Sequence, residues 1–154
     1  MSDILTYTMN EQVEQLYKEY SKIRGVRLTE EQFVYITKIY PSLLVCMSDG
    51  VLDKEEWEGI IQITNGLAEE FVTPENTRES VAMIFRTEFR YLLDHIDKWN
   101  KKFLNALRDS IKDNESDKEF VSETMYLFAN IADGISEEEQ DEIDSLSKRL
   151  GLEH

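Results

Sequence analysis

The residues best suited to chemistry lie in two short acidic stretches. The first is Met47-Ser48-Asp49-Gly50-Val51-Leu52-Asp53-Lys54-Glu55-Glu56, and the second is Ile131-Ala132-Asp133-Gly134-Ile135-Ser136-Glu137-Glu138-Glu139. Aligned with a one-residue gap, Asp49 matches Asp133, Gly50 matches Gly134, Val51 matches Ile135, and Glu55-Glu56 matches Glu138-Glu139. Downstream, Ile60, Ile63 and Leu67 fall on Ile143, Leu146 and Leu150, so the repeat extends into the helix expected after each turn. Carboxylates converging beside free backbone carbonyls are the ligand set of a hard divalent cation such as calcium. On that ground Asp49, Asp53, Glu56, Asp133, Glu138 and Glu139 are the expected metal ligands. Glu55, Glu137 and Asp141 are the acidic side chains expected to meet a protein partner.

Local structure alone also accounts for these residues. A glycine closing a helix takes the left-handed conformation, and here it is expected to leave the last carbonyls of the preceding helix free. Asp53 and Ser136 are expected N-caps, with Glu56 and Glu139 three residues later completing capping boxes. Acidic groups at a helix start are favoured by the helix dipole without any ligand. An EF-hand loop is reproduced only in its second half: Asp49-Gly50, an aliphatic residue, and Glu56 six residues after the glycine. Where that loop needs its first and third carboxylates, the chain has Val45 and Met47 in one copy and Ala129 and Ile131 in the other. An ordinary EF-hand is therefore not expected, and a metal held by one corner alone is expected to bind weakly.

The elements that must position these turns read as helices throughout. Ile4 to Ile23 carries Met9, Val13, Leu16, Tyr17 and Tyr20 at helical spacing and stops at Gly25. Thr29 and Gln32 open a second helix that runs to Met47, with Pro41 either kinking it or splitting it in two. A third runs from Asp53 to Thr73-Pro74, where Thr73 is expected to cap the next helix with Pro74 at its first position. Between Glu75 and Asp113 an apolar stripe from Val81 to Ile111 is unbroken by Gly or Pro. One helix of that length would reach on the order of 57 Å, too long for a compact domain, so a break is expected within Asp94 to Asn100. Ser116, with Glu119 as its partner, is expected to cap a sixth helix, and Ser136 a seventh ending at Leu150. No run has period two and no hairpin signal occurs, so the fold class is all-α, a compact bundle of about seven helices with an internal pseudo-two-fold repeat.

Composition narrows the function classes. The chain has 154 residues, 41% of them hydrophobic, enough for one core, and residues 1–151 are expected to form a single domain with Leu152-Glu153-His154 an expression-tag scar. No apolar run is long enough to span a membrane. The single cysteine, Cys46, excludes an internal disulfide, fits a reducing, cytoplasmic setting and reads as a core residue. A net charge of −15 argues against nucleic acid and suits a cation or a basic protein. That charge is uneven. Between Asn76 and Lys112 eight basic residues face five acidic ones, whereas seven of the twelve residues from Asp133 to Asp144 are acidic and none is basic.

The two corners also carry a family resemblance. Ser48-Asp49-Gly50-Val51-Leu52-Asp53-Lys54-Glu55-Glu56 and Ala132-Asp133-Gly134-Ile135-Ser136-Glu137-Glu138-Glu139, with a final helix closing on Leu-Gly at Leu150-Gly151, resemble the TerB-like tellurite-resistance family. That family includes the N-terminal domains of membrane-anchored DnaJ-type co-chaperones. The resemblance covers roughly Gln32 to Leu150. It implies a pseudo-symmetric helical domain with clustered acidic residues proposed to bind metal, working in bacterial stress response with membrane-associated protein partners.

Enzyme readings find little in the chain. Neither histidine has a Glu three residues before it, as a di-iron bundle requires, and His95, flanked by Asp94 and Asp97, reads as a surface residue. Phosphate loops, nucleophile elbows and zinc spacings are missing. The expectation is a non-enzymatic stress-response module binding a divalent cation, calcium or another, through its duplicated turns. The alternative is a scaffold whose acidic helix starts dock a basic or membrane-associated protein without metal, without nucleic acid and without inserting into the bilayer.

Overall fold

The computed structural model describes residues 10–25, 28–131 and 134–152. Seven helices account for nearly all of it: α1 (Glu11–Arg24), α2 (Glu30–Cys46), α3 (Lys54–Ala68), α4 (Arg78–Asp94), α5 (Ile96–Ile111), α6 (Glu115–Ala129) and α7 (Glu137–Leu150). A single 3-10 turn, Glu69–Phe71, extends α3, and no strand occurs among the described residues.

The bundle is built around α2. Most helices bury one stripe, but α2 buries Phe33, Ile36, Thr37, Ile39, Tyr40, Leu43, Leu44, Val45 and Cys46, side chains pointing all around its axis. A helix apolar on every side must be enclosed, and α2 packs against α1, α4, α5, α6 and α7, most extensively against α6. Lys38 on α2 pairs with Asp117 on α6 at 2.9 Å, both largely shielded from solvent. An aromatic cluster fills the space between α1, α2 and α5: the Tyr20 ring lies 5.5 Å from Phe33, 5.1 Å from Trp99 and 5.7 Å from Phe103. Edge-to-face and tilted contacts of this kind suit the ring quadrupoles.

Most helix ends follow from capping chemistry. Thr29, Asp53 and Ser136 each accept a hydrogen bond from the backbone N–H three residues on, and the side-chain oxygens of Gln32, Glu56 and Glu139 accept one from the backbone N–H of the cap. Gly25, at φ 64°, closes α1, and α5 separates from α4 at His95. At the end of α7 the Gly151 N–H reaches the Lys148 carbonyl and the Leu152 N–H the Ser147 carbonyl at 2.9 Å, a Schellman closure. Leu152, read from sequence as the start of a tag scar, is buried by that closure, while Glu153 and His154 lie outside the described residues.

Three expectations are corrected and one is narrowed. Pro41 does not divide α2, which runs through it to Cys46, and the proline is enclosed by neighbouring helices. Thr73 does not cap α4. Thr73 and Asn76 exchange two backbone hydrogen bonds, at 3.0 and 3.1 Å, so residues 73–76 form a closed turn, and Thr77 caps α4 instead. Ser116 does not cap α6, because Asn114 accepts from the Asp117 N–H at 3.0 Å and starts the helix earlier. The carbonyls at the end of α2 are not left free by Asp49-Gly50. Leu43, Leu44 and Val45 accept from Met47 and Ser48, and Met47 accepts from Gly50, so the tightened turn uses them. Of the first expected helix, residues 4–9 lie outside the described residues.

Candidate functional site

The two acidic corners meet. Cys46, Ser48, Asp49, Asp53 and Glu56 from the α2–α3 corner and Gly134, Ile135, Ser136 and Glu139 from the α6–α7 corner line one cleft of about 300 Å³. The close packing of α2 on α6 brings the ends of these helices together, and each corner then turns into a capped helix. Gly50 and Gly134 have matching backbone conformations, φ 88° and 92°, which a side-chain-bearing residue adopts only with strain. The repeat seen in the sequence is thus a repeat in the backbone.

What faces into the cleft is the pair of capping boxes. In the first, Asp53 Oδ1 accepts from the Glu56 N–H at 2.8 Å and Glu56 Oε1 from the Asp53 N–H at 3.3 Å. In the second, Ser136 Oγ accepts from the Glu139 N–H at 3.1 Å and Glu139 Oε1 from the Ser136 N–H at 2.8 Å. Asp49 Oδ1 accepts from the Val51 N–H at 3.0 Å, which holds that carboxylate over its own turn. In these bonds each of Asp49, Asp53, Glu56 and Glu139 engages one carboxylate oxygen.

The electrostatics of the cleft are one-sided, since none of its lining residues is basic. Glu56 is nearly buried, and burial, aided by the negative charges of Asp53 and Asp49, pushes its carboxyl up to about 7 against the cap hydrogen bond that opposes the shift. Cys46 forms part of the floor, with its thiol raised well above the ordinary range by burial and then by the charges of Glu56, Glu139 and Asp49. It is a core thiol with its sulfur 3.9 Å from the Phe128 carbonyl, as its place in an apolar run suggests.

Of the six expected metal ligands, Asp49, Asp53, Glu56 and Glu139 share this cleft, Glu138 is exposed outside its lining, and Asp133 lies outside the described residues. Glu55, Glu137 and Asp141, expected to meet a partner, are exposed on the first turns and flank of α3 and α7. Among the described residues no three His, Cys, Asp or Glu side chains stand together in an arrangement that could hold a metal ion. The reading against an ordinary EF-hand agrees with the packing: Val45 and Ala129 are buried helical residues, not loop ligands.

Two features were not singled out from sequence. Glu88, within the basic central segment, is buried and accepts from the Tyr20 hydroxyl at 2.7 Å and from Arg24 Nε at 2.8 Å. A second groove, between α3 and α4, is lined by Trp57, Ile61, Met83, Arg86, Arg90 and Tyr91 among others. An i, i+3, i+4 arrangement of Met83, Arg86, Thr87 and Arg90 was visible in the sequence, but nothing in it said that α3 leaves this face open. No family model, no curated protein and no solved structure matches the chain.

Proposed function

We propose that the cleft between the two corners receives a positively charged side chain of a protein partner, making the chain a non-enzymatic interaction module. The observation that carries this reading is the convergence of Asp49, Asp53, Glu56 and Glu139 on one cleft with no basic residue in its lining. Glu56 is held there at an electrostatic disadvantage that a lysine ammonium or an arginine guanidinium would relieve. An ammonium hydrogen-bonds carboxylates at about 2.8 Å, so it tolerates a more open arrangement than a directly ligated metal. Exposed Glu55, Glu137, Glu138 and Asp141 around the helix starts, and a net charge of −15, would steer a basic partner toward the cleft.

A second reading has the cleft bind a divalent cation. Each of its four carboxylates engages one oxygen in the bonds that hold its turn, which leaves a second oxygen for ligation. With no three ligands already grouped, the two corners would have to draw together, and affinity would be low. The resemblance of the two Asp-Gly corners to the TerB-like family supports placing either activity in bacterial stress response, with membrane-associated proteins among the partners.

Calorimetric titration of the chain with a lysine-rich peptide, and separately with calcium, tests both readings. Peptide binding that survives chelator, weakens steeply with salt and is lost in an Asp49→Asn, Glu139→Gln double variant supports the first. Heat from calcium alone, lost in the same variant, supports the second. Titrations silent with both would remove the cleft as a cation site.

A further inference from the structure

We infer that the groove between α3 and α4 binds a small organic carboxylate with an apolar body. The groove encloses about 480 Å³, within the size range of small-molecule sites, and lies outside the acidic cleft. Its walls include Trp57 and Ile61 from α3 and Met83, Arg86, Arg90 and Asp94 from α4, so one carboxylate shares the lining with two arginines.

Arg86 identifies the ligand's charge. In a chain with 32 acidic residues, this half-buried guanidinium has no carboxylate partner among the described residues. Its Nε is hidden from solvent and makes no hydrogen bond. A shielded N–H with no protein acceptor is rare, and an arginine lining a groove has its remaining donors to offer, in the planar fork matched to a carboxylate. Neighbouring Arg90 reaches Asp94 at 3.5 Å and lies 5.5 Å above the Trp57 ring, so its charge is already partly engaged, whereas Arg86 has no ion pair among the described residues.

The apolar wall identifies the body. Met83 is 59% exposed and lines the groove together with the half-buried Trp57 and Ile61. Tyr91 makes the opposite end rigid. Its ring is held between the Arg24 guanidinium, 3.9 Å from the centroid, and the stacked His95 ring at 4.2 Å, and its hydroxyl accepts from Trp99 Nε1 at 2.9 Å. A wall fixed in this way is in place before a ligand arrives, which favours a small guest.

Phenylacetate is a suitable probe, with phenylethanol as its uncharged counterpart. Nuclear magnetic resonance titration of the full chain should move the Trp57 indole N–H with phenylacetate and leave it with phenylethanol. Arg86→Gln should raise the dissociation constant by roughly tenfold or more, as expected for loss of one charged hydrogen-bonded contact. Met83→Glu, at an exposed position away from the core, should weaken phenylacetate by placing a like charge beside it, and it keeps the test valid if Arg86→Gln unfolds. Equal shifts with both probes, binding unchanged in Arg86→Gln and Met83→Glu, or no response to millimolar phenylacetate would each overturn the inference. An Asp49→Asn, Glu139→Gln variant should bind phenylacetate as the parent does, which separates this groove from the acidic cleft.

Discussion

Gly59 on α3 lies directly against Ile131, the residue that leads α6 into the second corner. A β-carbon built on Gly59 would stand 2.1 Å from Ile131 Cγ2 and 3.1 Å from both its Cβ and Cγ1. The absence of a side chain at Gly59 therefore sets how closely the helix of one corner approaches the turn of the other. Gly59→Ala should reverse the usual helix rule. In an open helix the change would stabilise by about 1 kcal/mol, whereas forcing a methyl into this contact costs about 1–3 kcal/mol. Urea unfolding should show a net loss on the order of 1 kcal/mol. Adding Ile131→Ala should recover part of it, so that the two changes are non-additive. A stabilised Gly59→Ala chain would mean that the two corners are not held by this contact.

Glu88 should be among the most sensitive positions away from the corners. It joins α4 to α1 through Tyr20 at 2.7 Å and through both the Nε and Nη2 of Arg24, at 2.8 and 3.1 Å. Replacing it by alanine leaves a shielded hydroxyl and a mostly buried guanidinium without partners. The expected loss is about 2–4 kcal/mol, read by chemical denaturation, with Glu88→Gln losing less because it can still accept from Tyr20. A Glu88→Ala chain as stable as the parent would show that water replaces these bonds.

Stability should decline with rising pH across the range in which Glu56 titrates. Its carboxyl is raised from 4.5 to about 7 in the folded chain, so between these values the folded state keeps a proton that the unfolded state has released. Folding is then favoured on the acid side of the window, and this contribution is lost as pH rises through about 7. Glu56→Gln keeps an acceptor for the Asp53 N–H and removes the titration. The variant should be more stable than the parent at neutral pH by on the order of 1 kcal/mol, with the difference shrinking toward pH 4.5. Parallel stability curves for parent and variant from acid to neutral pH would contradict this.

Cys46 should be inert while the chain is folded. The thiol is buried and its thiolate is opposed by burial first and by Glu56, Glu139 and Asp49 next. At mildly alkaline pH, alkylation by iodoacetamide should proceed only through opening of the structure, and denaturant should raise the rate by orders of magnitude. Rapid labelling of the native chain would show that the cleft opens down to its floor.

The fold was legible where a local rule had no competitor. Thr29-Gln32, Asp53-Glu56 and Ser136-Glu139 each pair a short acceptor with a side chain three residues on, and all three form capping boxes. The break at His95 followed from the length of the apolar stripe and the capping residues around it. Reading went astray at two helix starts. Thr77 caps α4 where Thr73 was expected, and Asn114 caps α6 where Ser116 was expected, because hydrogen bonds beyond the single cap position fix where each helix begins. Pro41 left two outcomes open, and of these the split is removed by the enclosure of α2 among its neighbours.

The candidate site was legible as two acidic turns but not as one place. Alignment of the repeats identified Asp49, Asp53, Glu56 and Glu139, yet only the packing of α2 on α6 says that these four share a cleft and Glu138 does not. Arg86 shows the same limit from the other side. Nothing in a run of charged and apolar residues reveals which guanidinium will lack a carboxylate.

The association of α2 with α6 also governs how the molecule can be assembled. Cys46 touches the Phe128 carbonyl across 82 positions of chain, so closing the cleft means bringing together segments remote in sequence. Contacts this remote slow folding relative to a bundle of sequential neighbours. An excised single corner would lose the opposite wall of the cleft, so the duplicated halves are interdependent, and neither is a portable motif.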